Sequence, residues 1–264
     1  MLPLEDVPGE TWSRVLGVAT DLDDTLTTHG WITPVALGAL GSLAEAGIPC
    51  VVATGRPVGW AEVLARILPV RAVVAENGGA WALREGGGVR VAFTDPEPVR
   101  AEALARATRV ATRLQREFPG LERVVDWTVR ATDVTLDIGE RAKVPRATVD
   151  QCLAIIREEG LYGVASTVHL HIGGRSPDKT EGLRAALADA RLDPGELTER
   201  WVYVGDSPND EGPFRSMALS VGVAGVRRFA LAHPPRYVTR GDAGEGFAEV
   251  TDTVLSHRAG ARGR

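Results

Sequence analysis

The chain has 264 residues, 30 basic and 35 acidic side chains and a formal charge of −5, with 44% hydrophobic and 25% charged residues. That balance excludes a disordered chain, and no apolar run approaches the roughly 20 residues that span a bilayer, so no membrane partner is expected. Net negative charge argues against nucleic acid as the main partner, because phosphate backbones select basic surfaces. Cys50 and Cys152 are too few for a disulfide framework or a thiolate metal cluster. The opening Met-Leu-Pro-Leu-Glu-Asp is acidic where an export signal is basic, so a cytoplasmic protein of one large domain or two small ones is expected. Nothing in the sequence specifies an oligomeric state.

The first stretch alternates strands and helices. Val15 to Thr20 is a short apolar run ending in Asp21-Leu22-Asp23-Asp24-Thr25. Thr33-Pro34 opens a helix, with Thr as N-cap and Pro at the first helical position. Val35, Leu37, Leu40, Leu43 and Ala44 form its apolar stripe, and Gly47 ends it. Ile48 to Ala53 is the next strand, Thr54-Gly55-Arg56-Pro57 a loop, Gly59 to Leu68 a helix and Arg71 to Ala75 a third strand. Such alternation predicts a parallel sheet covered on both faces.

The middle has another texture. Ala80 to Leu83 and Val89 to Phe93 flank Arg84-Glu85-Gly86-Gly87-Gly88, the pattern of a hairpin. A long helix over Glu97 to Phe118 follows, then a strand over Ala131 to Ile138 and a helix over Pro145 to Glu159. Strands near Leu161 to Val164 and Val168 to Ile172 complete an α+β insert expected over residues 84–175, with net charge +1 against −6 for the rest. A helix from Pro177 to Arg191 and a strand from Trp201 to Val204 then lead to Gly205-Asp206-Ser207-Pro208-Asn209-Asp210. A helix through Met217, a strand over Leu219 to Val223 and a helix over Gly246 to Ser256 finish the chain, with a disordered tail expected from Arg258.

Asp21 and Asp23 end a predicted parallel strand, where ligands bind in α/β sheets. Crowded carboxylates repel one another, and a hard cation such as Mg²⁺ removes the conflict. The plainer alternative is a capping or Asx-turn cluster. Asp206 and Asp210 repeat the pattern at a second strand end, where helix capping is again the alternative. Thr54, followed by Gly55, offers a hydroxyl and backbone N–H groups to an anion. Lys179 stands near a helix start, where the dipole disfavours it, so carboxylates or a phosphate would account for it; a solvated surface lysine is the alternative. It is one of two lysines, with Lys143, beside 28 arginines.

Asp21-Leu22-Asp23-Asp24-Thr25, Thr54, Lys179 and Gly205-Asp206-Ser207-Pro208-Asn209-Asp210 resemble, in order and strand-end placement, the four motifs of haloacid dehalogenase-like hydrolases. Ala75-Glu76-Asn77-Gly78-Gly79-Ala80 and the position of the insert are similar to the branch that includes sucrose-phosphate, mannosyl-3-phosphoglycerate and Cof-type sugar phosphatases. Asp24 departs from the glycine usual there. The resemblance implies an α/β fold: a Rossmann-like parallel-sheet core over residues 1–83 and 176–264, with an α+β cap over 84–175. It implies a phosphatase acting on a small phosphorylated substrate, with sugar phosphate as the expected class. Asp21 would be the nucleophile and Asp23 the acid/base. Asp21, the Asp23 carbonyl and Asp206 would hold Mg²⁺, with Asp210 in support. Thr54, Gly55, Arg56 and Lys179 would bind the phosphoryl group or substrate, and Asn209 would orient Lys179 or Asp210.

Two other outcomes of the same chemistry are a phosphomutase and a non-catalytic phospho-aspartate switch. A dinucleotide site is disfavoured, because the first strand leads to carboxylates rather than a glycine-rich turn. In the insert, His169 and His171 share a strand face and read as partly exposed residues or as substrate-facing imidazoles; a transition-metal pair would need a third ligand that the sequence does not show. Arg130, Lys143 and Arg175 are candidate anion contacts in the insert, with a solvated surface side chain the favoured reading for each. Arg56 and Trp60, just after Thr54, lie closer to the expected pocket, with packing or surface roles as the alternative, and most of the six tryptophans read as core or interface residues.

Overall fold

A computed structural model describes residues 1–166, 168–176 and 178–262; Pro177 and residues 263–264, both covered by the expectations above, lie outside them. The chain opens with β1 (Leu2–Pro3) and α1 (Gly9–Ser13), then alternates β2 (Gly17–Thr20), α2 (Pro34–Glu45), β3 (Cys50–Ala53), α3 (Val58–Ile67) and β4 (Ala72–Ala75). A hairpin of β5 (Ala80–Glu85) and β6 (Gly88–Phe93) follows. After it come α4 (Glu97–Glu117), β7 (Glu122–Arg123), β8 (Asp133–Asp137), α5 (Arg146–Glu158), β9 (Tyr162–Ala165) and β10 (His169–Gly173). The last part holds α6 (Lys179–Asp189), α7 (Leu197–Arg200), β11 (Trp201–Gly205), α8 (Glu211–Ser216), β12 (Leu219–Gly222), β13 (Tyr237–Val238) and α9 (Ala243–Arg262).

Among the described residues the large sheet runs β1-β13-β12-β11-β2-β3-β4-β5-β6. Its strands are parallel from β1 to β4 and antiparallel beyond. Val and Ala fill β2, β3 and β4 without alternation because helices cover both faces, burying every residue of these strands. Chain order reverses between β2 and β11, and the crevice beyond their carboxyl ends is where such sheets bind ligands. The Thr33 side chain caps α2 at the Ala36 N–H, as Thr-Pro predicts. No described helix is long and apolar enough to cross a membrane.

The hairpin departs from the expected boundary at residue 84. It pairs with β4 and extends the large sheet, so the second sheet begins beyond it. The final helix starts at Ala243 and runs through Arg262, past the Ser256 end and into the stretch expected to be disordered.

The second sheet, β7-β8-β10-β9, is antiparallel. Its strands alternate: Val134, Leu136, Leu170 and Ile172 pack under α4 and α5 with Leu114 and Ile156, so Asp133, Thr135, Asp137, His169 and His171 fall on the opposite face. The connections to the large sheet lie side by side. Thr94 donates from N–H and hydroxyl to the Gly79 and Gly78 carbonyls. Arg175 lies 3.5 Å from Asp95, and the Asp178 side chain caps α6. Gly78 has φ 106°, and a Cβ there would run into the Asp178 carbonyl.

Candidate active site

The crevice beyond β2 and β11 gathers the acidic clusters. Asp21 follows β2 directly and donates its N–H to the Val204 carbonyl of β11. Asp206 follows β11, and a capping box joins Ser207 to Asp210. Asp178 as N-cap makes Lys179 the first residue of α6, and its side chain is fully buried. Its Nζ lies 2.6 Å from Asp21 Oδ1 and 2.7 Å from Asp210 Oδ1. The surface-lysine alternative is therefore excluded.

Asp210 is saturated. Oδ1 accepts from Lys179 and, at 2.5 Å, from the Tyr203 hydroxyl; Oδ2 accepts from the N–H groups of Asp206 and Ser207. It fixes the ammonium and the Asp206 loop together. Asp206 is the less satisfied partner among the described residues, with the Thr25 hydroxyl at 3.4 Å on Oδ1 and a further contact from Ser207. Asp21, Asp206 and Asp210 each bring a carboxylate oxygen within 4.8 Å of the others. Burial and Asp210 push the Asp206 carboxyl up to about 7, against the pull of Lys179. Burial also lifts Asp21 well above the usual carboxylate range; Lys179 opposes this while Asp210 and Asp206 add to it. Burial works against the Lys179 ammonium, but Asp21 and Asp210 outweigh it and hold it above the ordinary lysine value. One ammonium does not neutralise this cluster, and its free donors are hard oxygens, so the residues fit a divalent cation.

Asp23 stands apart from Lys179. The Arg56 guanidinium closes on it as a fork, Nε 3.0 Å from Oδ2 and Nη2 2.9 Å from Oδ1. The Thr54 side chain is buried beside β4, its hydroxyl accepting the Arg56 N–H at 3.0 Å. Asn209 does not orient Lys179 or Asp210: its Oδ1 accepts the Ser207 hydroxyl at 2.6 Å. Asp21, Asp23, Gly55, Arg56, Asp206 and Asn209 line one cleft of about 370 Å³.

The polar face of the second sheet closes that cleft. Glu140, His169 and His171 line it. Both histidines are buried rather than partly exposed. His169 Nε2 lies 3.1 Å from Glu140 Oε2, and His171 Nδ1 lies 2.8 Å from Asp133 Oδ2. Burial keeps the His171 imidazole below its ordinary value. Arg130 is buried too, contrary to the solvated reading, donating to Asp133 at 2.8 Å and to the Gly55 carbonyl at 3.2 Å. Glu76 completes this joint, accepting from the N–H groups of Val58, Ala131 and Thr132. Lys143 is exposed and lines no part of the cleft, and Arg175 pairs with Glu181 at the surface. Sequence reasoning missed Tyr203, Glu76, Asp133 and Glu140. A carboxylate between an apolar strand and Asn77-Gly78-Gly79 was a signal for Glu76; nothing local marked the others.

Comparison with known proteins follows the same lines. Residues 18–90 match the family model described as haloacid dehalogenase-like hydrolase. A phosphoglycolate phosphatase of Pyrobaculum neutrophilum is 30% identical over 246 residues, covering 90% of this chain and 95% of the relative. Thermoplasma acidophilum 0175 superposes with a TM-score of 0.72 at 16% identity, covering 91% of this chain and 98% of that one. The sucrose-phosphatase of Synechocystis sp. PCC6803, solved with sucrose and phosphate, gives 0.64 at 16% identity, again covering 91% and 98%.

Proposed function

This chain belongs to the haloacid dehalogenase-like hydrolases and is a phosphoric monoester hydrolase, and from that premise we propose that it removes phosphate from a small sugar phosphate through an aspartyl-phosphate on Asp21. The observation that carries the reading is the buried Lys179 ammonium 2.6 Å from Asp21 Oδ1, with the carboxylates of Asp206 and Asp210 gathered beside it. Asp21 attacks phosphorus as the leaving oxygen takes a proton from Asp23. Asp23 then removes a proton from water, which attacks the phosphoryl group and frees Asp21. The Arg56 fork orients the ionised Asp23, the form that takes the proton from water, and one arm of it must open when Asp23 carries the proton for the leaving oxygen. Lys179, Thr54 and the Gly55 loop bind phosphoryl oxygens, so catalysis is positioning and charge neutralisation.

Magnesium suits this donor set: Asp21, Asp206 and the Asp23 carbonyl would hold it, Asp210 in support, and when bound it would neutralise phosphoryl charge. The second sheet with α4 and α5 serves as the cap that closes over the leaving group. A second reading, phosphoglycolate as substrate, is favoured by the names of the curated relatives.

Released phosphate from a panel of phosphate esters tests the proposal. Asp21→Asn is expected to abolish release, and Asp23→Asn to lose about 10²–10⁴ in turnover while still binding Mg²⁺. EDTA should stop the wild type. Near-wild-type release by Asp21→Asn removes the covalent route, and equal rates with and without EDTA remove the metal.

A further inference from the structure

The catalytic cleft does not end at Asp23. A groove of about 330 Å³ opens beside it and shares Asp23, Arg56 and Glu140 as a common wall. Its far side is apolar, made by Ile32, by Trp60 and Leu64 of α3, and by Val125 from the connection between β7 and β8. Trp60 is 42% exposed and Val125 69% exposed, so large apolar surface lies open next to the acid/base residue. The Arg56 guanidinium stands 4.9 Å over the Trp60 ring while it grips Asp23. One side chain therefore braces both the acid/base and the apolar wall.

Charge narrows what the groove takes. Asp23, Asp126 and Glu140 line it, and among the described residues Arg56 is the only lysine or arginine lining either the cleft or the groove. That guanidinium is committed to Asp23 and lies 3.9 Å from Glu140. A carboxylate on the leaving group would meet Asp126 and Glu140, with no lysine or arginine of the groove's lining except the committed Arg56. A neutral leaving group meets no such repulsion. A sugar ring presents a C–H face and a hydroxyl edge, which match the Trp60 indole on one side and, on the wall shared with the cleft, Glu140 backed by His169.

We propose that this groove is the leaving-group subsite, and that it takes an uncharged hydroxylated ring of pyranose size, its C–H face on Trp60 and its hydroxyls toward Glu140 and His169. The inference rests on the phosphatase reading, because the leaving oxygen must depart past Asp23, the residue that joins cleft and groove.

The test is kcat/KM for glucose 6-phosphate and for phosphoglycolate, read by released phosphate, in the wild type, Trp60→Ala, Trp60→Phe and Val63→Ala. Val63 lies on the same helix, is exposed and lines no part of the groove. The wild type should prefer glucose 6-phosphate by at least about tenfold, the range one apolar pocket contact supplies. Trp60→Ala should reduce that preference about tenfold, mainly through KM for the ring substrate, while Trp60→Phe keeps most of it and Val63→Ala all of it. Competitive inhibition of the wild type by methyl glucoside, stronger than by glycolate, is expected as well and does not depend on any variant folding. Preference for phosphoglycolate, an equal loss on both esters in a folded Trp60→Ala, or stronger inhibition by glycolate overturns the subsite and leaves the phosphatase reading standing. No phosphate from any of a panel of cyclic and acyclic esters overturns both.

Discussion

Lys179 shows what a single residue can report. A chain with 28 arginines places a lysine between Asp21 and Asp210, with no exposed side-chain surface. A compact ammonium fits between two carboxylates where a planar fork would need more room. Its neighbour Asp206 shares the pH dependence with Asp21, both carboxyls being raised. Burial and Asp210 raise the Asp206 carboxyl from an ordinary 3.8 to about 7. Without metal, the folded protein keeps the proton over this range while the unfolded chain has released it. The contribution to stability is therefore present below about pH 4 and lost as the pH rises toward 7. Mg²⁺ bound there would have to displace the same proton. Its addition should raise the melting temperature more at about pH 8 than at about pH 6, and Asp206→Asn should flatten both the pH slope and the Mg²⁺ response. Equal Mg²⁺ shifts at the two pH values would remove Asp206 from the metal site.

At the scale of elements, the carboxyl ends of β2 and β11 were readable because an apolar run followed by clustered acids is a local pattern, and the two strands are neighbours. The side taken by the β5–β6 hairpin was not. Alternation with a glycine turn looks alike in either sheet, and pairing with β4 decides it through contacts the sequence does not mark. Arg130 was misread for a related reason: its partners are the Gly55 carbonyl, 75 residues away, and Asp133, which lies on the polar face of β8. His169 and His171 were placed correctly on one face, but what covers that face is set by the large sheet. Three tryptophans, Trp12, Trp81 and Trp201, are core; Trp31, Trp60 and Trp127 are exposed. The Arg130 joint makes a prediction about the β7–β8 connection. Burial opposes ionisation of Asp133, yet Arg130 and His171 hold its carboxyl well below the usual range. Arg130→Ala leaves that buried charge short of its main partner and should cost about 3–5 kcal/mol in chemical denaturation. A loss below about 1 kcal/mol, the range of a surface pair, would show the joint to be exposed in solution.

At the scale of the molecule, two sheets of opposite construction meet at one cleft. The parallel sheet brings Asp21 and Asp206 to the cleft from its strand ends, and the antiparallel one turns a polar face toward them. Gly78 stands where they join. With φ 106° and the Asp178 carbonyl against its Cα, it has no room for a side chain. Gly78→Ala should lower stability by about 1–3 kcal/mol and reduce turnover by shifting the start of α6, although the residue touches no substrate. Wild-type kinetics in a folded Gly78→Ala would separate the joint from the lysine.

The chain passes between the two sheets at Thr94 and at Asp178, both against this glycine, and Asp178 is one residue from Lys179. Displacement in a rigid rotation grows with distance from the axis. Any swing of the second sheet about its tethers therefore carries Glu140 and His169 through a wide arc and Lys179 through almost none. Sampling many leaving groups and aiming at one phosphorus atom make opposite demands on stiffness. An ammonium beside the tethers would let a single chain meet both, and substitutions at the outer wall, such as Glu140→Gln, should then change the choice of ester more than the rate with the best one.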